Sequence, residues 1–126
     1  MHDDIEDARG LLDSADQETN AEVKANRIEE AIVLLRSCPT DDLSPFERKY
    51  IANLLNAHTR RLLTQLPSFA PAFATGQNLW WRYMKLLLEL KVEVNVVLAT
   101  DPTLKDNYKQ FIRLWGQEAL DALRAV

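Results

Sequence analysis

Five apolar stripes of helical period run along this 126-residue chain, separated by its few helix breakers, and that pattern leaves little room for any fold but an all-α one. There are only three glycines and five prolines. Most fall between stripes, at Pro39, Pro45, Pro67, Pro71, Gly76 and Pro102.

The stripe Ile5, Ala8, Leu11, Leu12 and Ala15 predicts a helix near 3–15, with acids in the first turn where the helix dipole favours them. Ala21, Ala25, Ile28, Ile32 and Leu35 predict a second near 20–36, preceded by Thr19 and Glu22 at capping-box spacing. The third, near 44–66, has the clearest start: Ser44 at the N-cap, Pro45 at N1 and Glu47 closing the box. Its stripe is Ile51, Leu54, Leu55, His58, Leu62 and Leu66, and Pro67 stops it.

A fourth helix is expected near 77–98. Leu90 to Val96 alternates like a strand, yet Asn78, Arg82, Lys85, Glu89 and Glu93 form a polar stripe at steps of three and four through it. A lone strand would also leave its backbone groups unpaired. The fifth, near 101–124, opens on Asp101 and Pro102 and carries Leu104, Tyr108, Phe111, Ile112, Trp115, Ala119, Leu123 and Val126.

Short connections imply antiparallel neighbours, so the expected architecture is one domain, residues 1–126, of about five helices in antiparallel hairpins with no β-sheet. The stretch from Arg27 to Pro39 does not fit a tetratricopeptide register, because Leu34 falls where a small residue belongs.

Charge narrows the function. Fifteen basic and nineteen acidic residues give a net charge of −4, which argues against nucleic acid as a partner because phosphate binding needs positive surface. The charge is polarised: residues 1–18 hold seven acids and one base, and residues 44–91 hold two acids and seven bases. No stretch reaches the roughly 20 apolar residues of a membrane span. The single Cys38 allows no intrachain disulfide, and the acidic start is unlike a secretory leader, so a cytoplasmic location is expected.

No catalytic motif stands out. Gly10, Gly76 and Gly116 are isolated, so no phosphate loop is present. His2, His58 and Cys38 show no metal-ligand spacing, and neither a metal nor a cofactor is expected. His58 could act as the base of a metal-independent helical ribonuclease. However, Arg48 lies ten residues earlier, about 80° around the helix and about 15 Å along it. The competing reading is a histidine at the core edge, hydrogen-bonded to a neighbour.

The aromatic segment is the most unusual feature. Pro67-Ser-Phe69-Ala-Pro71-Ala-Phe73 leads into Trp80-Trp81-Arg82-Tyr83. Neighbouring helix positions point about 100° apart, so Trp80 and Trp81 should not both enter one core. Either the Phe69–Phe73 loop folds over them as a lid, or some ring surface meets another molecule. Arg60 and Arg61, with Arg48 and Lys49 earlier on the same helix, could guide an acidic partner or be neutralised by the acidic first helix. Gly116 sits in mid-helix, where glycine costs about 1 kcal/mol against alanine, which suggests close approach of another helix.

The leading expectation is a non-enzymatic helical protein–protein interaction module with an adaptor, antitoxin- or immunity-like, or regulatory role. Phe69, Phe73, Trp80, Trp81 and Arg82 would be its anchor and Arg60 and Arg61 its electrostatic guide. The partner would be another protein, and a second copy of the chain is one candidate. The alternatives are a small-molecule-binding bundle with the same aromatics as walls, and the His58 ribonuclease.

Overall fold

A computed structural model of the chain describes residues 2–75 and 78–124; side chains are described only as far as residue 116, so Ala119 and Leu123 of the last stripe lie outside, as do Gly76, Gln77 and Val126. The described residues are helical and contain no strand. The helices are α1 (Asp3–Gln17), α2 (Ala21–Ser37), α3 (Pro45–Gln65), α4 (Ala70–Thr75), α5 (Leu79–Glu89), α6 (Lys91–Thr100) and α7 (Pro102–Arg124). Short 3₁₀ turns cover Thr40–Asp42 and Leu66–Phe69.

The caps follow local chemistry. Ser44 Oγ accepts the Glu47 amide at 3.1 Å, and Glu47 Oε1 accepts the Ser44 amide at 3.1 Å, so the expected capping box is formed. Asp101 Oδ1 caps α7 by accepting the Thr103 amide at 3.1 Å. For α2 the cap is Asn20 rather than Thr19: its Oδ1 accepts the Glu22 and Val23 amides at 3.0 and 3.1 Å. Glu18 folds back onto the Asn20 amide at 3.0 Å, and that bond, assisted by Arg27 at 3.0 Å, holds its carboxyl below the usual carboxylate range.

Two expectations about the middle of the chain are corrected. The long connection expected after Pro67 is helical over its described residues, 67–75. Pro67 is the second residue of a 3₁₀ turn and Pro71 the second of α4, first-turn positions where a missing N–H loses nothing. The expected fourth helix is two helices. Leu90, at φ −94° and ψ 23°, separates α5 from α6, although the Leu90 amide still bonds to the Leu86 carbonyl at 2.9 Å. The strand-like alternation there is helical, as the polar stripe required. Asn78 starts α5 from a left-handed conformation (φ 58°) that its short polar side chain tolerates.

The chain divides into two compact units, residues 1–58 and 59–126, with the division inside α3. In the first, α1 and α2 pack along each other as a hairpin. Ile5, Ala8, Leu12, Ala31, Leu35, Cys38 and Leu43 are buried together, and Tyr50, Ile51, Leu54 and Leu55 of α3 pack against them. Lys24 is also wholly buried, its ammonium donating to the Ala15 carbonyl at 2.7 Å. That places a cation on the negative end of the α1 dipole. In the second unit the buried side chains are Leu62, Leu63, Leu66, Phe69, Phe73, Leu79, Tyr83, Met84, Leu86, Leu87, Leu90, Val94, Val97, Leu104 and Phe111.

Among the described residues no other helix approaches Gly116 closely. Among the described residues, a Cβ placed there would meet only Ile112 Cγ2 of its own helix, at 3.4 Å.

Candidate functional site

The aromatic residues assemble within the second unit. Phe73, 2% exposed, is the hub: its ring centre lies 6.2 Å from Phe69, 5.1 Å from Tyr83, 5.5 Å from Phe111 and 6.1 Å from Trp115. The pairs are edge-on, the arrangement that aromatic quadrupoles favour. Tyr83 is fully buried, and that burial pushes its hydroxyl well above its ordinary value. Trp80 stacks on Trp115 at 6.2 Å and meets the edge of Trp81 at 6.0 Å.

Phe69 and Phe73 therefore belong to the core and offer no surface anchor. Trp80 and Trp81 are each half-buried, so neither is sealed in the core, and Arg82 beside them is half-buried too. A cavity of about 90 Å³ beside this cluster is lined by Leu66, Phe73, Phe111 and Trp115 among others.

An apolar feature that the sequence reading passed over lies on the outer face of α5 and α6. Leu88 is 59% exposed, Val92 72% and Val96 48%. They follow each other at steps of four, so at about 100° per residue they share one face across the Leu90 break. Trp81, seven residues before Leu88, extends the line by two turns. The strand-like alternation masked this stripe, because its exposed and buried valines interleave.

The basic candidates are exposed. Arg60 bonds to Asp101 Oδ2 at 3.3 Å and to Thr100 Oγ1 at 3.3 Å, which ties it to the α6–α7 junction. Arg61 is exposed.

His58 is wholly buried. Its Nδ1 lies 2.8 Å from Asp16 Oδ1, and among the described residues its Nε2 has no hydrogen-bond partner. With the carboxylate as acceptor, Nδ1–H is the donor of this bond. This is the core histidine, hydrogen-bonded to a neighbour, that competed with the catalytic reading.

One polar cluster brings together residues that spacing along the chain did not connect. His2 caps α1, its Nδ1 accepting the Asp4 amide at 3.1 Å. The α1–α2 hairpin brings the C-cap of α2, Cys38, to the same end. His2 Nδ1, Asp4 Oδ2 and Cys38 Sγ then lie within 4.8 Å of one another. The 34 residues between Asp4 and Cys38 hid the group, and pairing the ends of two helices predicted to be antiparallel was the signal that could have found it. Burial, then the Asp4 carboxylate, push the Cys38 thiol up.

Among the described residues no helix is long and apolar enough to cross a membrane. Comparison with protein-family models, with curated proteins and with solved structures gives no match to this chain.

Proposed function

We propose that this protein is a helical interaction module that pairs with a second copy of itself through the outer stripe of α5 and α6. The observation that carries this reading is the exposed line of Leu88, Val92 and Val96, extended by Trp81. Exposed apolar residues that share one face mark interaction surfaces more often than scattered ones do.

Charge selects the occupant. Arg82, Glu89 and Glu93 lie along one flank of the stripe, basic towards the start of α5 and acidic towards α6, with Lys85 on the stripe itself. In an antiparallel pair of helices, like flank meets like flank. Centring the pair on Leu88 puts Arg82 near the partner's Glu93, Lys85 near the partner's Glu89 and Trp81 near the partner's Val96. The pattern is thus self-complementary, as a two-fold interface requires. The buried aliphatic and indole surface is worth roughly 10–20 kcal/mol gross. Most of that is offset by lost translational and rotational freedom, so a dissociation constant of about micromolar size is expected.

Two other readings have less support. For aromatic walls, the cavity beside the aromatic cluster, about 90 Å³, falls short of the roughly 300–1,000 Å³ of ordinary ligand pockets. A general base must reach its substrate, and His58 is wholly enclosed. The lone buried Cys38 fits a reducing, cytoplasmic setting.

The test is sedimentation velocity over a concentration series. Wild type is expected to shift from monomer to dimer in the micromolar range, and Leu88→Glu to stay monomeric with unchanged circular dichroism. The double variant Arg82→Glu/Lys85→Glu and the double variant Glu89→Lys/Glu93→Lys are each expected to dimerise weakly alone and to pair when mixed. A wild type that stays monomeric throughout, or swapped variants that fail to pair while wild type dimerises, would overturn the reading.

A further inference from the structure

We propose that His2, Asp4 and Cys38 form a three-ligand site for a thiophilic divalent cation, with zinc the best match. This inference concerns the first unit and stands independently of self-pairing through α5 and α6.

The three donor atoms form a nearly equilateral triangle. His2 Nδ1 lies 3.9 Å from Asp4 Oδ2 and 3.9 Å from Cys38 Sγ, and Cys38 Sγ lies 3.8 Å from Asp4 Oδ2. Zinc bonds of about 2.3 Å to sulfur and about 2.0–2.2 Å to nitrogen and oxygen, at tetrahedral angles, put such atoms about 3.3–3.6 Å apart. Each edge of the triangle need shrink by only a few tenths of an ångström. An imidazole, a carboxylate and a thiolate together suit zinc better than calcium or magnesium, which take oxygen ligands. The three ligands leave the fourth tetrahedral position to water.

The elements hold these ligands in place. His2 is fixed at its backbone, where its amide donates to Glu47 Oε2 at 2.9 Å. Glu47 is itself held by the capping box of α3. Cys38 sits at the end of α2, its thiol within 3.4 Å of the Leu34 carbonyl, and is 4% exposed. Asp4 and His2 are half-exposed, so the triangle has one sheltered corner and an open mouth. Supporting groups of this kind commonly orient metal ligands.

Binding exchanges interactions in a balanced way. The ion takes the His2 Nδ1 lone pair that now accepts the Asp4 amide, and water takes over that amide at the open helix end. Cys38 loses its proton to solvent and binds as the thiolate. One thiolate and one carboxylate then neutralise the two positive charges of the ion.

The test uses the full chain, stripped with a chelator and kept reduced. Titration with Co²⁺ is expected to give one saturable equivalent, with a thiolate-to-cobalt charge-transfer band and the strong d–d absorption of four-coordination. Zn²⁺ should displace it stoichiometrically. Cys38→Ser should abolish the charge-transfer band, and His2→Gln and Asp4→Asn should each weaken binding by more than about 100-fold. Circular dichroism of the metal-free variants confirms that each still folds. No saturable binding at micromolar metal would overturn the proposal. So would a spectrum that needs Cys38 and is indifferent to both His2→Gln and Asp4→Asn, which is the behaviour of a solitary thiol.

Discussion

Phe73→Ala is expected to be among the most damaging single substitutions in the second unit. The ring is 2% exposed and touches four other aromatic rings from α5, α7 and the turn before α4. Truncating a buried phenylalanine costs about 3–5 kcal/mol, partly from lost transfer energy and partly from the cavity left behind. The neighbours cannot close the gap easily, since Tyr83 is itself enclosed and Trp115 is stacked on Trp80. For a unit of this size, a loss of 1 kcal/mol lowers the melting temperature by about 4–8 °C, so a fall of more than about 12 °C is expected. Trp81→Ala gives the contrast. Its half-buried ring should cost no more than about 1–2 kcal/mol of monomer stability while weakening self-pairing strongly. Urea unfolding followed by far-ultraviolet circular dichroism measures both. Equal losses for the two substitutions would mean that the aromatic hub has been wrongly placed.

The second large effect is expected at Asp16. Its carboxylate lies 2.8 Å from the Nδ1 of a histidine that has no exposure. In Asp16→Ala, the wholly buried His58 loses the acceptor of its Nδ1–H. Leaving a buried donor unmatched costs about 1–3 kcal/mol. His58→Leu also destabilises, because it removes the buried imidazole that bonds to the Asp16 carboxylate. Asp16 keeps 12% side-chain exposure, so water can reach part of it. The double variant Asp16→Ala/His58→Leu should therefore be more stable than Asp16→Ala alone, and the cycle should give a coupling of about 1 kcal/mol or more. A double variant whose loss equals the sum of the single losses would show that the two groups act separately.

Much of the fold could be read from local chemistry. Ser44, Pro45 and Glu47 form a reciprocal pair of hydrogen bonds, and Asp101 with Pro102 sets the start of α7, because a cap is decided within four residues. The α2 start was read one residue early because Thr19 and Asn20 are both good caps. Asn20 prevails by accepting two amides at once. The break at Leu90 carries no sequence signal, since no proline or glycine stands there. Pro67 and Pro71 suggested a loop, yet each falls in the first turn of a short helix.

The sites were legible only in part. His58 resting against a neighbour followed from its place on an apolar stripe, but that the neighbour is Asp16 depends on how α1 lies against α3. Aromatic residue types alone suit either an interface anchor or a segment folded back on the core, and for Phe69 and Phe73 the helical turns carry both rings inward. His2, Asp4 and Cys38 meet only through the α1–α2 hairpin, so no spacing rule along the chain could join them.

The enclosed Lys24 ammonium makes the hairpin report on its own breathing. Amine-reactive reagents can modify the solvent-facing lysines, such as Lys49 and Lys85, in the native state, whereas Lys24 reacts only while α1 and α2 stand apart. The ratio of its labelling rate to theirs gives the free energy of that separation. Acylation at this one amine also removes the cation from the end of α1, so each labelling event traps the parted form and makes a rare excursion countable.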